Sequence, residues 1–262
     1  MPPTRITSST TSLKESWLYT PNPKANARGR LFCFPYAGGG PSSFRQWPEA
    51  FDKRNSPLEL QIISLPGHEF RITSPPINHL DTLVPMLSKE LEKQLDLPFY
   101  FFGYSLGALI AFEVARHFQQ HGKKAPEHLF VCAKSAPHLP LRHPPIYQLP
   151  DQQLIQELKR FDGTPSDVLE NQQLMELFLP CLRADFSLNE TYKYMDEAPL
   201  SCPITAFGGE SDEEATTEML QAWKIHTGSS FQVKTFTGGH FFVTDHLEKI
   251  IAEIDRLSSV RK

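Results

Sequence analysis

Short runs of apolar residues recur along this 262-residue chain, with longer stretches of mixed character between them. Several runs are continuous rather than alternating, which is the pattern of a strand that is buried on both faces of a parallel sheet. We therefore predict strands at residues 30–34, 60–65, 99–102, 129–132, 204–207 and 231–236.

The stretches between these runs have the spacing of amphipathic helices. Between residues 80 and 95, apolar side chains fall three or four positions apart and form one helical stripe. The segments 106–118 and 247–257 follow the same pattern. Strands that alternate with helices predict an α/β fold, with a mostly parallel central sheet flanked by helices.

One stretch departs from this alternation. Residues 138–145 are rich in proline, and residues 151–190 have a helical pattern with no strand between them. Such an insertion is expected over the carboxyl ends of the strands, where open α/β sheets bind ligands. We interpret residues from about 141 to 195 as a helical lid or pocket wall. A surface elaboration without function is the alternative.

The composition is that of one large soluble domain. Hydrophobic residues make up 40% of the chain and charged residues 21%, which is ordinary for a globular protein. Residues 1–29 are polar and rich in Ser, Thr and Pro, so we expect a flexible N-terminal lead-in before a domain over residues 30–257. This lead-in lacks the apolar core of a signal peptide, so a cytoplasmic location is expected.

Charge and cysteine content narrow the classes of partner. The net charge of -4 leaves no basic footprint for a nucleic acid. No apolar run has the length of a membrane span. The cysteines form no CxxC pair, so buried reduced thiols are expected rather than disulfides or a zinc site. They are Cys33, Cys132, Cys181 and Cys202.

A G-x-S-x-G motif, Gly103-Tyr-Ser-Leu-Gly107, carries the first sign of chemistry. It follows the predicted strand 99–102 directly and opens the predicted helix that begins at Leu106. Strand, tight turn and helix in this order form a nucleophile elbow, in which the serine is exposed on a strained turn. Ser105 is therefore the candidate nucleophile. The alternative is a glycine-rich turn whose serine has no catalytic role.

A serine hydroxyl needs a base to accept its proton, and in this kind of fold the acid precedes the histidine. His240 is the candidate base, because its Gly-Gly-His loop follows the predicted strand 231–236. The acidic loop 208–214 follows the strand 204–207. Within it we prefer Asp212, which the turn after the glycines should bring towards His240. Glu210 is the alternative acid. The loop could also be an acidic surface loop with no catalytic role.

Acyl transfer also requires donors for an oxyanion. The backbone N–H of Leu106, the residue after the nucleophile, is one candidate, and the loop after the first predicted core strand should supply the other. In that glycine-rich loop, residues 35–40, the N–H of Tyr36 is preferred, with Ala37 next. No Lys-Ser or Lys-Thr pair follows the loop, which argues against a phosphate-binding P-loop.

From Arg30 to Leu257 the chain resembles the type II thioesterases that accompany polyketide and nonribosomal peptide synthetases. The resemblance is carried by Leu31-Phe-Cys-Phe-Pro-Tyr-Ala-Gly-Gly-Gly40, Ser43-Phe-Arg-Gln-Trp47, Leu65-Pro-Gly-His-Glu-Phe-Arg71, Phe102-Gly-Tyr-Ser-Leu-Gly107, Leu182-Arg-Ala-Asp-Phe186, Pro203-Ile-Thr-Ala-Phe-Gly-Gly209 and Gly238-Gly-His-Phe-Phe242. It implies an α/β-hydrolase fold, a triad of Ser105, Asp212 and His240, and a lid over an acyl pocket.

The chain departs from the family pattern at two places. Tyr104 precedes the nucleophile where the family often has His, and Glu213 follows Asp212 where Pro is frequent. Two polar residues of the insertion, Arg183 and Asp185, are interpreted as a structural pair or a lid anchor rather than as catalytic groups.

The resemblance implies hydrolysis of acyl thioesters on the phosphopantetheine arm of acyl or peptidyl carrier proteins, which clears misprimed or stalled groups. It implies a monomer that needs no cofactor and no metal. The alternatives are chain release by a medium-chain fatty-acid synthase thioesterase, hydrolysis of small esters, and a catalytically inactive hydrolase fold that serves as a binding protein.

Overall fold

The computed structural model describes residues 15–159, 163 and 166–258. Within them the strands form one sheet in the order β1-β3-β2-β4-β5-β6-β7. Every strand is parallel to its neighbours except β1, which is antiparallel to β3. The strands are β1 Leu18–Tyr19, β2 Gly29–Phe34, β3 Leu58–Ile63, β4 Phe99–Tyr104, β5 His128–Cys132, β6 Ile204–Gly209 and β7 Phe231–Phe236. The predicted α/β fold is confirmed.

Alternate side chains of each central strand are buried in one of two cores, one on each face of the sheet. In β2, Phe32 and Phe34 belong to one core and Leu31 and Cys33 to the other. The first core is closed by α2 Leu80–Glu92, α3 Leu106–Gln120 and α7 Thr217–Gln221. The second core is closed by α1 Trp47–Lys53 and α8 Val243–Leu257. Burial on both faces explains why the strand sequences are continuously apolar.

The helices differ from the predicted ranges at their ends. The helix predicted over 80–95 ends at Glu92, and the one predicted from 247 begins at Val243. The early start of α8 includes a kink at His246, whose φ of -118° is not helical. The sequence pattern did not predict α1 and α7, which have only 7 and 5 residues and so offer too few turns for a helical stripe.

The predicted flexible lead-in over 1–29 is partly ordered. Residues 1–14 lie outside the described residues. Leu18 and Tyr19 pair with Ile63 and Ile62 as an edge strand, and the guanidinium of Arg71 lies 4.5 Å from the centroid of the Trp17 ring. A strand of two residues leaves no alternating pattern in the sequence, so it can be recognised only through its partner strand.

The insertion between β5 and β6 contains three helices in its described part, whereas its described residues 133–150 and 191–203 are not helical. It contains α4 Asp151–Leu158, α5 Ser166–Leu169 and α6 Gln172–Glu190. These helices share a small core of their own, built on side chains such as Leu154, Met175 and Leu179. The side chain of Asn171 caps α6 by accepting a hydrogen bond of 3.1 Å from the N–H of Leu174. The insertion is therefore a packed unit rather than an irregular loop.

In the described residues, no helix is long and apolar enough to cross a membrane. The four cysteines are buried, and burial raises the pKa of each thiol.

Acid should destabilise the fold through His128 at the start of β5. Its Nε2 lies 2.8 Å from Thr205 Oγ1, and burial lowers its pKa from 6.5 to about 4. Between these two values the unfolded chain binds a proton that the folded chain does not, so stability falls as the pH drops through this window. We expect this residue to contribute a loss of about 2 kcal/mol in the free energy of unfolding between pH 7 and pH 5.

Urea denaturation of the wild type and of His128→Gln at both pH values measures this contribution. The variant should lose correspondingly less stability on acidification, because glutamine does not titrate. An identical pH dependence in the two proteins would contradict the assignment of a neutral buried His128.

Candidate active site

The candidate nucleophile lies on a strained turn between β4 and α3. Ser105 has a φ of 51° and a ψ of -116°, and a positive φ is uncommon for a residue with a side chain. The turn is held by two backbone hydrogen bonds: Ser105 N–H donates to the Cys132 carbonyl at 2.8 Å, and Ala108 N–H donates to the Ser105 carbonyl at 2.9 Å. Strain of this kind persists where the surrounding structure fixes the backbone.

Glycines on both sides of the turn permit the close packing that fixes it. A Cβ on Gly107 would overlap the carbonyl oxygen of Phe34, and one on Gly103 would overlap the backbone of Ala108. The start of α3 is therefore pressed against the carboxyl end of β2. The helix N-terminus, with its partial positive charge, lies next to the serine.

The candidate base and acid approach Ser105 on loops that follow β7 and β6. His240 Nε2 lies 3.1 Å from Ser105 Oγ, and His240 Nδ1 lies 2.9 Å from Asp212 Oδ2. The Asp212 side chain is 1% exposed and that of His240 20%. The other oxygen of Asp212 accepts a hydrogen bond of 2.9 Å from the N–H of Glu214. The structure thus brings the three predicted residues into one hydrogen-bonded chain, whereas the alternative acid, Glu210, is exposed.

The two loops touch through glycine backbone. A Cβ on Gly209, the last residue of β6, would overlap the carbonyl oxygens of Gly238 and Gly239. Ser211 N–H also donates to the Gly238 carbonyl at 2.9 Å. This contact sets the distance between the acid loop and the histidine loop.

Tyr104, noted above only as a departure from the family pattern, holds the histidine loop. Its hydroxyl donates a hydrogen bond of 2.8 Å to the carbonyl oxygen of His240, and its ring packs edge-on against Tyr36 at 5.2 Å. Burial raises the pKa of this phenol, so the hydroxyl remains a donor. In the sequence, Tyr104 stands out only as an unusual residue before the nucleophile. Its hydrogen-bond partner, 136 positions away, cannot be identified from the sequence.

The residues predicted to supply the oxyanion donors belong to the cavity at the nucleophile. Tyr36, Ala37 and Leu106 line the same cavity as Ser105. The N–H of Gly39 donates to the Tyr36 carbonyl at 2.8 Å, which closes a turn, and Gly38 has a φ of 75°. This turn begins with the two residues whose amides are the candidate donors of the loop.

A cavity of about 320 Å³ opens at Ser105. One wall comes from the insertion, through Leu158, Leu182 and Phe186. Leu109 of α3 lies on another wall, and Lys134 follows the carboxyl end of β5. The cavity is mixed in character, because acidic and basic side chains line it together with the apolar ones. The volume is in the range of pockets that bind small organic groups.

Comparison with known proteins agrees with this geometry. A family model described as "Thioesterase domain" matches residues 29–257. The chain belongs to the thioesterase family. The family predicted from the sequence is thus confirmed.

Individual relatives cover nearly the whole thioesterase. The gramicidin S biosynthesis protein GrsT of Aneurinibacillus migulanus is 41% identical over 235 residues, which is 90% of this chain and 91% of that protein. The medium-chain S-acyl fatty acid synthase thioesterase of Homo sapiens is 32% identical, over 88% of this chain and 86% of that protein. The solved type II thioesterase BorB from the borrelidin biosynthetic cluster has a TM-score of 0.83 and 32% identity, over 94% and 98% of the two chains.

Arg183 and Asp185 of the thioesterase do not pair with each other, so of the two predicted roles, a structural pair or a lid anchor, the structural pair is wrong. Arg183 donates hydrogen bonds to the carbonyl oxygens of Tyr147 and Leu149 and to the carboxylate of Asp151. Asp185, two positions along α6, faces the opposite direction, towards loops of the main domain. Side chains two positions apart on a helix point to different sides of it. This explains why Arg183 and Asp185 have different partners. Both residues anchor the insertion.

The acid can be tested by replacing the two candidate carboxylates. Asp212→Asn should lower kcat by about three to four orders of magnitude, because the amide cannot hold His240 in the tautomer that accepts the serine proton. Glu210→Gln is the matched control from the same loop and should retain wild-type activity. Steady-state hydrolysis of an acyl thioester measures both. Loss of activity in Glu210→Gln with an active Asp212→Asn would contradict the assignment.

Proposed function

We propose that this thioesterase removes acyl groups from the phosphopantetheine arm of acyl or peptidyl carrier domains in a polyketide or nonribosomal peptide synthetase. The observation that carries the proposal is the chain Ser105–His240–Asp212, with spacings of 3.1 and 2.9 Å, at the mouth of a cavity walled by the insertion. The names of two similar proteins support this setting: GrsT is a gramicidin S biosynthesis protein, and BorB is a type II thioesterase from the borrelidin biosynthetic cluster.

The first half of the reaction acylates the serine. His240 takes the proton of Ser105 as the hydroxyl oxygen attacks the thioester carbonyl, and Asp212 stabilises the imidazolium that results. The N–H groups of Leu106 and Tyr36, or of Ala37 in place of Tyr36, bind the oxyanion of the tetrahedral intermediate. His240 then returns its proton to the sulfur as the carbon–sulfur bond breaks, and the thiol of the arm leaves.

The second half releases the acyl group. A water molecule gives a proton to His240 and attacks the ester carbonyl, and the carboxylic acid leaves as Ser105 recovers its proton. The chemistry needs no metal and no organic cofactor. The cytoplasm is the proposed location, since carrier domains and the activated acyl groups are made there.

The polar lining of the cavity favours editing of short acyl groups over release of medium-length hydrocarbon chains. Lys134 borders the cavity and donates a hydrogen bond of 2.5 Å to Asn189 of α6. Burial lowers its pKa to about 8, although Glu214 opposes the shift. At neutral pH the amine is therefore still largely charged. A long alkyl chain that entered this part of the cavity would have to pack against a buried charged amine, which is costly.

The insertion serves in this proposal as the lid over the acyl group. Its helices supply one wall of the cavity, and the charged anchor Arg183 fixes the beginning of the insertion at Leu149 and Asp151. Closure of such a wall excludes bulk water from the oxyanion.

Comparison of leaving groups and acyl lengths tests the proposed function. Acetyl, butanoyl and decanoyl groups are each presented on a carrier domain, on coenzyme A and as a simple ethyl ester, with Ser105→Ala as the inactive control. We expect kcat/KM to be highest on the carrier domain and to be about 10-fold or more higher for the two short groups than for decanoyl.

Two outcomes would contradict the proposal. Faster hydrolysis of ethyl esters than of any thioester would identify a simple esterase. A clear preference for decanoyl would instead favour the medium-chain release activity after which the human relative is named.

A further inference from the structure

The loop that should supply the second oxyanion donor needs external support. This oxyanion loop, residues 35–40, leaves β2 and turns through Gly38 with a φ of 75°. Glycine makes that backbone conformation accessible but does not make it rigid. Oxyanion stabilisation depends on donors that are already fixed before the reaction. Some other contact must therefore hold the loop.

That contact comes from Asp185 on helix α6 of the insertion. One carboxylate oxygen, Oδ2, accepts a hydrogen bond of 2.7 Å from the N–H of Gly38 and lies 2.8 Å from Nε2 of His68. The side chains of Asp185 and His68 are each 2% exposed. Three segments that are far apart in sequence thus meet at a single buried oxygen atom.

The surroundings of His68 favour the imidazolium form. Its Nδ1 lies 3.1 Å from the carbonyl oxygen of Pro66, and its Nε2 faces the Asp185 carboxylate. Both partners are acceptors only, so both ring nitrogens can be satisfied only when both carry a proton. Burial lowers the pKa of His68, but the charge and hydrogen bond of Asp185 outweigh burial and raise the pKa overall.

The pair of Asp185 and His68 needs to have no net charge because it lies next to the oxyanion loop. An unpaired carboxylate close to the oxyanion loop would oppose the negative charge that develops on the thioester oxygen. The charge of His68 compensates that of Asp185, so the carboxylate can hold Gly38 without repelling the oxyanion.

The segment that carries His68 also holds the residues that follow the loop. The carboxylate of Glu69 accepts hydrogen bonds from the N–H of Ser42, at 3.1 and 3.2 Å, and from its hydroxyl at 2.6 Å. A Cβ on Gly40 would lie 2.7 Å from the Glu69 carboxyl carbon. The loop is therefore held at Gly38 through Asp185, and the residues that follow it are held through Glu69.

We propose that Asp185, paired with His68, is a positioning residue that fixes Gly38 and so directs the N–H groups of Tyr36 and Ala37 at the thioester oxygen. This inference rests on the proposed function, because it assumes that the loop contributes an oxyanion donor. Asp185 should affect the transition state rather than substrate binding. The substrate carbonyl gains most from those amides once it carries charge, so kcat should change and KM should change little.

The test compares Asp185→Ala with Asp185→Asn. Alanine removes the acceptor, whereas the single amide oxygen of asparagine can still accept from the Gly38 N–H and from the Nε2–H of a neutral His68. On a small acyl-pantetheine thioester we expect Asp185→Ala to lower kcat by about 10- to 100-fold. Its KM should stay within about threefold, and Asp185→Asn should recover kcat to within about fivefold of the wild type.

A pair of inhibitors separates positioning from general disruption of the lid. Ser105 Oγ adds to the carbonyl carbon of an acyl-pantetheine trifluoromethyl ketone, the serine proton passes to His240, and the former carbonyl oxygen becomes an oxyanion. A thioether of the same length binds without forming an oxyanion. For Asp185→Ala, the affinity for the ketone should fall by the same factor as kcat/KM, and the affinity for the thioether should be unchanged.

Arg183→Gln is the matched control, since it removes an anchor of the same helix that does not touch the oxyanion loop. It should not change the ratio of ketone to thioether affinity. Thermal unfolding checks that each variant is folded. If Asp185→Ala does not fold, His68→Gln carries the test. It leaves the carboxylate uncompensated and should lower kcat about 10-fold with little change in KM.

Three results would overturn the inference: an unchanged kcat in Asp185→Ala, an equal loss of affinity for both inhibitors, or a folded Asp185→Asn as slow as Asp185→Ala. The assay uses no carrier domain, so these results do not depend on the carrier. A wild-type protein that is active on the small thioester but not on any carrier domain would contradict the proposed function and leave the Asp185 test intact.

Discussion

The strained turn at Ser105, where the backbone has a positive φ, sets the geometry of the whole active site. With a φ of 51°, the serine cannot continue β4 or begin a relaxed helix, and its hydroxyl is directed out of the sheet towards the cavity. The conformation persists because α3 is pressed against the end of β2, where Gly107 meets the carbonyl of Phe34. The packing of α3 on the buried sheet thus offsets the backbone strain at Ser105.

Parallel strand order places the partners of the serine at the same edge. β4, β6 and β7 all end on that edge, so the loops after them carry Ser105, Asp212 and His240 to one place. Backbone contact between Gly209 and the histidine loop then fixes their separation. The hydroxyl of Tyr104 donates a hydrogen bond to the His240 carbonyl and so holds the histidine loop. Each of these contacts joins segments that are distant in sequence. Together they fix the catalytic groups in place before the substrate binds.

The local part of this design could be predicted from the sequence, whereas the long-range part could not. The Phe-rich strands, the glycines around Ser105 and the Gly-Gly-His loop each leave a pattern within a few residues, so the fold and the candidate triad were accessible. The contact of Asp185 with His68 joins positions 117 apart, and no local pattern encodes it. The edge strand Leu18–Tyr19 was missed for a related reason, because two residues acquire an extended conformation only by pairing with β3.

In the proposed mechanism Ser105 accepts the acyl group directly from a carrier-bound thioester, so the acyl-enzyme can be trapped during turnover. An isotopically labelled acetyl group on a carrier domain is mixed with the wild-type enzyme, quenched in acid within milliseconds and digested for mass spectrometry. We expect a labelled acetyl ester on the peptide that contains Ser105, formed before the free acid accumulates. Free labelled acid released at full rate, with no label on Ser105 at any time, would contradict it.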